Sequence, residues 1–145
     1  MPLTDHFTLK EFTHSDTATR LDIDNEPNEE QLDNIKILAE GMELVRAKLD
    51  GYAIRISSGF RCLELNRALR SKDTSYHIQG LAADFTCSGF GNVYDVMQVL
   101  SESSIEFDQL ILEHGRGIHI AFPKKGDKPR RQMLSIGKTG VRIYK

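Results

Sequence analysis

Residues 75–85 read Ser-Tyr-His-Ile-Gln-Gly-Leu-Ala-Ala-Asp-Phe, and this stretch restricts the fold more tightly than any other. His77 and Asp84 stand seven positions apart, and Gly80 breaks the backbone between them. Leu81, Ala82 and Ala83 are small or apolar and suit a buried strand, so Asp84 is a carboxylate in a segment that otherwise reads as core. A charge in that setting is costly unless it is paired or bound to a cation. A second strand-like run covers residues 117–122. Its alternation puts Ile118, Ile120 and Phe122 on one face and His119 on the other, between the small Gly117 and Ala121. Two imidazoles and one carboxylate make a three-ligand set for zinc, with a fourth position left for water. The spacing alone leaves chance open, because a His, an Asp and a distant His occur in many chains. No HExxH helix is present, which excludes the commonest metalloprotease pattern.

The surrounding elements follow from periodicity. Residues 7–12 read as a short ordered piece in a loop-rich opening that closes on the turn signal Asn25-Glu26-Pro27. His6 and His14, in that opening, read as exposed loop histidines. Asn28 with Gln31 resembles a capping box, and Leu32, Ile35, Leu38, Ala39, Met42, Val45 and Leu49 then recur at three- and four-residue spacing. This predicts one long helix ending near Gly51. Residues 53–57 alternate as a strand, residues 58–60 turn out of it, and residues 62–70 form a short helix. Residues 71–76 read as a polar loop leading to His77, and residues 81–86 as the strand carrying Asp84. Val93, Val96, Met97 and Leu100 mark a second substantial helix. Residues 107–113 form a hairpin with the His119 strand, residues 123–129 a basic loop, and residues 132–136 and 141–144 two closing strands.

Zinc held by two His and one Asp lowers the pKa of its water towards ~7 and polarises a scissile carbonyl. A general base must still take the water's proton and pass it to the leaving amine. Glu113 is the preferred candidate because it ends the strand preceding that of His119. His114 is the alternative, able to do the same work or to orient the oxyanion. Neighbouring residues on a strand point to opposite faces, so one of the two faces the metal. Arg61 sits at the mouth of a strand-to-helix turn, where it either clamps a substrate carboxylate bidentately or stays an exposed structural arginine.

Charge is unevenly spread, although the net is only -2. Residues 1–50 carry 5 basic and 12 acidic side chains, whereas residues 120–145 carry 8 basic and 1 acidic. A basic end can meet an anionic polymer or can simply be a solvated face. No interleaved aromatics suit a nucleic-acid groove, so nucleic acid is not expected as a partner. Cys62 and Cys87 lack CxxC or zinc-knuckle spacing and are expected to pack as small apolar residues. The first residues show neither a basic n-region nor an apolar h-region, and no run approaches a membrane span. Synthesis in the cytoplasm without a signal peptide, and no membrane insertion, are therefore expected.

Taken in order, Ser57-Ser58-Gly59-Phe60-Arg61, Leu65-Asn66-Arg67, the pattern S-x-H-x-x-G-x-A-x-D from Ser75 to Asp84, and Ile118-His119-Ile120 form a specific set. The set resembles the zinc D-alanyl-D-alanine carboxypeptidase family of peptidoglycan peptidases. That family includes vancomycin-resistance D,D-dipeptidases and phage endolysins, and shares its fold with the hedgehog signalling domain. Phe7 to Phe12, Ser15-Asp16-Thr17-Ala18 and Phe107 to Ile111 extend the likeness, which runs to about Phe122. It implies an α+β fold, a small, mostly antiparallel sheet with helices packed on one side, forming a single zinc peptidase domain over residues 1–145. It implies that His77, Asp84 and His119 bind zinc and that Arg61 contacts the substrate carboxylate or polarises the carbonyl. Ser75 falls where the family keeps a polar residue facing the substrate, and His114 is a further substrate-binding candidate.

Many members carry an acidic residue or a His two or three positions before the last ligand, where this chain has Gly117 and Arg116. Glu113, six positions before it, matches a phage endolysin-like branch in which an acidic residue follows the Asp-Gln-Leu-Ile strand. The implied activity is cleavage next to D-amino acids in the peptidoglycan stem peptide, with D,D or L,D specificity, by a monomer. A lysis enzyme without a leader would reach the periplasmic or outer side of the wall after holin-type release. The competing reading is a non-catalytic zinc-containing module of the same fold that binds cell wall or protein.

Overall fold

The apolar stripe that begins at Leu32 folds into the longest helix of the chain. A computed structural model describes residues 2–145 and contains six helices and six strands. Two short helices, α1 (Leu9–Thr13) and α2 (Asp16–Arg20), precede α3 (Glu29–Lys48). The expected capping box is present: Asn28 Oδ1 accepts from the Gln31 amide at 2.8 Å, and Gln31 Oε1 accepts from the Asn28 amide at 2.9 Å. Glu29 and Glu30 at the start of α3, with Arg46 and Lys48 at its end, complement the helix dipole. Ile35, Leu38, Ala39, Met42 and Val45 are fully buried. Gly41, a helix-weakening residue in mid-helix, is needed for packing, because a Cβ there would collide with the buried Phe122 ring.

The remaining elements are β1 (Arg55–Ser58), α4 (Leu63–Ala68), α5 (Tyr76–Gln79), β2 (Ala82–Thr86), α6 (Val93–Ser101), β3 (Gln109–Glu113), β4 (Gly117–Ala121), β5 (Gln132–Gly137) and β6 (Gly140–Ile143). The strands form one sheet in the order β1-β2-β4-β3-β5-β6. The fold is α+β, as expected. The sheet is mixed rather than mostly antiparallel, because β5 runs parallel to β3 while the other neighbours are antiparallel. Residues 122–131 carry the chain from the end of β4 past the start of β3 into β5. Two short helices also replace expected loop: α2, capped by Ser15, and the single turn α5, which carries His77.

Register sorts the sheet into two faces. Asp84 lies opposite His119, which lies opposite Ile111, which pairs with Leu134. Their neighbours Ala83, Ile120, Leu110 and Met133 point the other way, into a core shared with α3 and α6. Asp84 and His119 therefore line the face turned away from that core, and Glu113, two positions from Ile111, joins them.

The basic loop after β4 is fastened by Asp108. This carboxylate is 3% exposed and accepts from the Arg130 guanidinium at 2.7 and 3.1 Å and from the Arg130 amide at 3.1 Å. Burial works to raise its pKa, but the bonds from Arg130 and Tyr76 outweigh it and hold the carboxyl below the usual range. A depressed folded-state pKa gives stability that is fully present above the unfolded pKa of about 4 and fades as pH falls through the folded value. Asp108→Asn is therefore expected to lower stability at pH 7 by roughly 1–3 kcal/mol. It should cost much less at pH 2, which urea titrations at the two pH values will compare.

Candidate metal centre

His77 is placed by the caps of its own short helix α5, by α3 and by the loop of residues 59–62. Ser75 caps α5, its Oγ accepting from the His77 amide at 3.2 Å. Gly80 ends α5 at φ +81°, the left-handed conformation that glycine adopts without a Cβ penalty. A Cβ there would also stand 2.8 Å from the Gln31 carbonyl oxygen, so α3 and α5 approach closely because position 80 is glycine. Across that contact Gln31 Nε2 donates to Ile78 O at 3.0 Å and Asn34 Nδ2 donates to Gln79 O at 2.9 Å. On the other side the Arg61 amide donates to the His77 carbonyl at 3.1 Å.

The ring itself is buried, and its Nδ1 lies 2.7 Å from the Gly59 carbonyl oxygen. A carbonyl only accepts, so Nδ1 carries the proton and Nε2 is left as the free nitrogen. Burial, resisted by Asp84, lowers the His77 pKa and keeps the ring neutral. Nε2 faces Asp84 Oδ2 at 3.4 Å, while Asp84 Oδ1 lies 2.8 Å from His119 Nδ1. Burial works to raise the Asp84 pKa, but its polar surroundings, the bond from His119 first among them, keep it well below the ordinary carboxylate range. One ligand atom from each of His77, Asp84 and His119 lies within 4.8 Å of the others.

This donor set fits a metal. The lone pair on Nε2 and the Asp84 carboxylate are two acceptors turned towards each other, an arrangement that a cation satisfies at both ends. The Gly59 carbonyl holding Nδ1 is the outer partner that fixes the tautomer and orientation of a metal-ligating imidazole.

Arg61 is drawn into the same cluster. Its guanidinium lies 3.6 Å from Asp84 Oδ2, its Nε donates to Ser58 Oγ at 3.1 Å and its Nη1 to Asn66 Oδ1 at 3.3 Å. The side chain is only 14% exposed, so Arg61 is not an exposed structural arginine. Glu113 stands beside Asp84, His119 and Arg61; burial first, and then the Asp84 charge, push its carboxyl up to about 6. Glu113, Ser75 and His119 line one groove of about 520 Å³. Ile111, Leu134 and Ile136 line its sheet side, and Ser71, Lys72, Thr74, Ser75 and Tyr76 line it from the loop before α5 and the start of that helix. His114 is not part of this assembly. It occupies the turn after β3 at φ 53°, exposed, with its amide bonded to the Ile136 carbonyl at 2.7 Å. His6 and His14 are exposed and pair with Glu43 and Asp16. Cys62 and Cys87 are free thiols, Cys87 within the core and Cys62 at the start of α4.

Two contributors, Gly59 and Asn66, stand within the motif set, but the sequence did not announce their roles. The Gly59 oxygen is a backbone atom, which residue type does not announce. Asn66 is fully buried and joins Arg61 to the Lys72 carbonyl, 2.8 Å from its Nδ2. The available signal was an amide beside the apolar Leu65 of a short helix.

The peptidase M15 family model matches residues 5–121, which contain the whole cluster. The chain belongs to the peptidase M15 family. It is thus a zinc metallopeptidase of the D-alanyl-D-alanine carboxypeptidase-like kind, a family that implies a peptidoglycan-type substrate. No curated protein matches the chain. No helix among the described residues is long and apolar enough to cross a membrane.

His77→Ala removes one of the three groups that can hold the metal. Losing an outer-shell partner already costs 10–100-fold in metal affinity, so loss of this ligand should weaken zinc binding by more than about 100-fold. Competition titration against a chelator measures this. Binding unchanged in the variant would place the metal elsewhere.

Proposed function

We propose that this protein hydrolyses amide bonds next to D-amino acids in peptidoglycan stem peptides, with D,D or L,D specificity, as a carboxypeptidase or endopeptidase. The observation that carries the reading is a second carboxylate, Glu113, in the groove beside the His77, Asp84 and His119 cluster, with its pKa raised to about 6. A binding module needs only the ligands. A hydrolase also needs a group that accepts a proton near neutral pH and returns it, and a carboxyl in that range is suited to both tasks.

Bound at His77, Asp84 and His119, zinc supplies a Lewis acid that acidifies water and polarises the scissile carbonyl. Glu113 Oε takes the proton of the attacking water and delivers it to the nitrogen of the departing amine. The same oxygen thus serves first as base and then as acid. Arg61 donates hydrogen bonds to a carbonyl or carboxylate oxygen of the substrate, its approach set by Ser58 and Asn66. Ser75 Oγ contacts the substrate from the start of α5, and the apolar Ile111, Leu134 and Ile136 accommodate the aliphatic side chains of a stem peptide. Glu113 takes the base role in preference to His114, which lies in the exposed turn. Acting as a monomer, the protein suits a phage-type lysis enzyme, made in the cytoplasm and passed to the wall by a holin-type release.

Glu113→Gln keeps shape and hydrogen-bonding capacity but cannot accept the proton. It should lower kcat by about 100- to 10,000-fold while zinc stays bound in full. Digestion of purified peptidoglycan, with mass analysis of the fragments, reads the rate and identifies the bond cut. A zinc-loaded wild type that releases nothing from walls of several cross-link chemistries would favour the binding module.

A further inference from the structure

Asn25 lies in the loop between α2 and α3, outside the metal cluster and its groove, yet its half-buried side chain is fully engaged. Nδ2 donates to Thr13 O at 2.9 Å and to Phe60 O at 3.0 Å, and Oδ1 accepts from the Cys62 amide at 2.7 Å. An amide side chain offers two N–H donors and one carbonyl oxygen, and both ends are used here. The last two contacts fall on the residues immediately before and after Arg61. Residues 59–62 belong to no helix or strand, so no ladder holds them. Two backbone bonds also hold them: the Phe60 amide donates to Phe12 O at 2.6 Å, and the Arg61 amide donates to His77 O at 3.1 Å.

The consequence falls on Arg61. Its long side chain reaches Ser58, Asn66 and Asp84 from a backbone position that Asn25 grips on both sides. The same four-residue loop supplies the Gly59 oxygen to His77 Nδ1. A displacement of about 1 Å at a reacting centre costs on the order of 100-fold in rate. An irregular loop that aims a cation therefore needs a fixed backbone, and the amide of Asn25 is built to provide one.

We propose that Asn25 is a positioning residue for Arg61, tying the amino-terminal segment to the substrate-polarising side of the site. This rests on the reading that Arg61 acts on the substrate, and the two claims separate in a double-mutant cycle. Asn25→Ala, Arg61→Ala and the double variant are loaded with zinc and assayed on a stem peptide, well below the unfolding temperature of each. Asn25→Ala is expected to lower kcat/KM by about 10–100-fold. The double variant should be no slower than Arg61→Ala alone, because contacts in one network are not additive. Effects that multiply would mean that Asn25 only stabilises the fold and would overturn the proposal. An Arg61→Ala variant with undiminished kcat/KM would instead sink the role of Arg61.

A readout independent of activity is hydrogen exchange of the Arg61 Nε–H, followed by NMR on the metal-free protein. This proton is bonded to Ser58 and should exchange slowly in the wild type and much faster in Asn25→Ala. Equal exchange in both would also overturn the proposal. Asn25→Asp keeps the acceptor for Cys62 and loses both donors. It is the second variant if alanine prevents folding, with the same non-additivity expected.

Discussion

The Asp84 carboxylate is the constraint on which this structure turns. It sits on an interior strand of the sheet, 2.8 Å from one imidazole, 3.4 Å from another and 3.6 Å from a guanidinium. A half-buried charge of this kind must be matched, and each facing group comes from a different part of the chain. His119 arrives by cross-strand register from β4, His77 by a helical turn pinned to α3, and Arg61 from a loop fastened to the amino-terminal segment. The scaffold can be read as the set of contacts that brings these three groups to one carboxylate.

That arrangement divides labour between the two faces of the sheet. Ala83, Phe85, Ile118, Ile120, Leu110 and Leu112 face α3 and α6 and supply the apolar burial. The opposite face carries Asp84, His119 and Glu113; His119 pairs with Asp84, whereas the Asp84 charge opposes that of Glu113. Proximity to Asp84 serves the chemistry as well. Together with burial, it keeps the Glu113 carboxyl up near 6, close to where a proton shuttle works best.

Much of this was legible in the residues, and for physical reasons. The long helix announced itself through an apolar stripe and a capping box, both local signals that tertiary packing reinforced. Alternation assigned His119 to the face opposite Ile118 and Ile120, and the burial of those two isoleucines against α3 and α6 agrees. Asp84 stood out because a carboxylate followed three small or apolar residues. What stayed hidden was non-local or too short to show a period. The turn Tyr76–Gln79 has four residues, fewer than any helical repeat needs, so His77 read as the end of a loop. The direction of β5 depends on the path of residues 122–131 past the start of β3, which local propensity does not encode. The grip of Asn25 on residues 60 and 62 spans more than thirty positions and carries no spacing signature.

The central claim is that one metal ion is held by two imidazoles and a carboxylate from these three elements. X-ray absorption spectroscopy of the zinc-loaded protein tests it most directly. The account predicts one zinc per chain with only nitrogen and oxygen neighbours, at about 2.0–2.2 Å, and imidazole scattering from two histidines. A sulfur neighbour at about 2.3 Å would put a cysteine in the coordination sphere and contradict the account, as would a single imidazole.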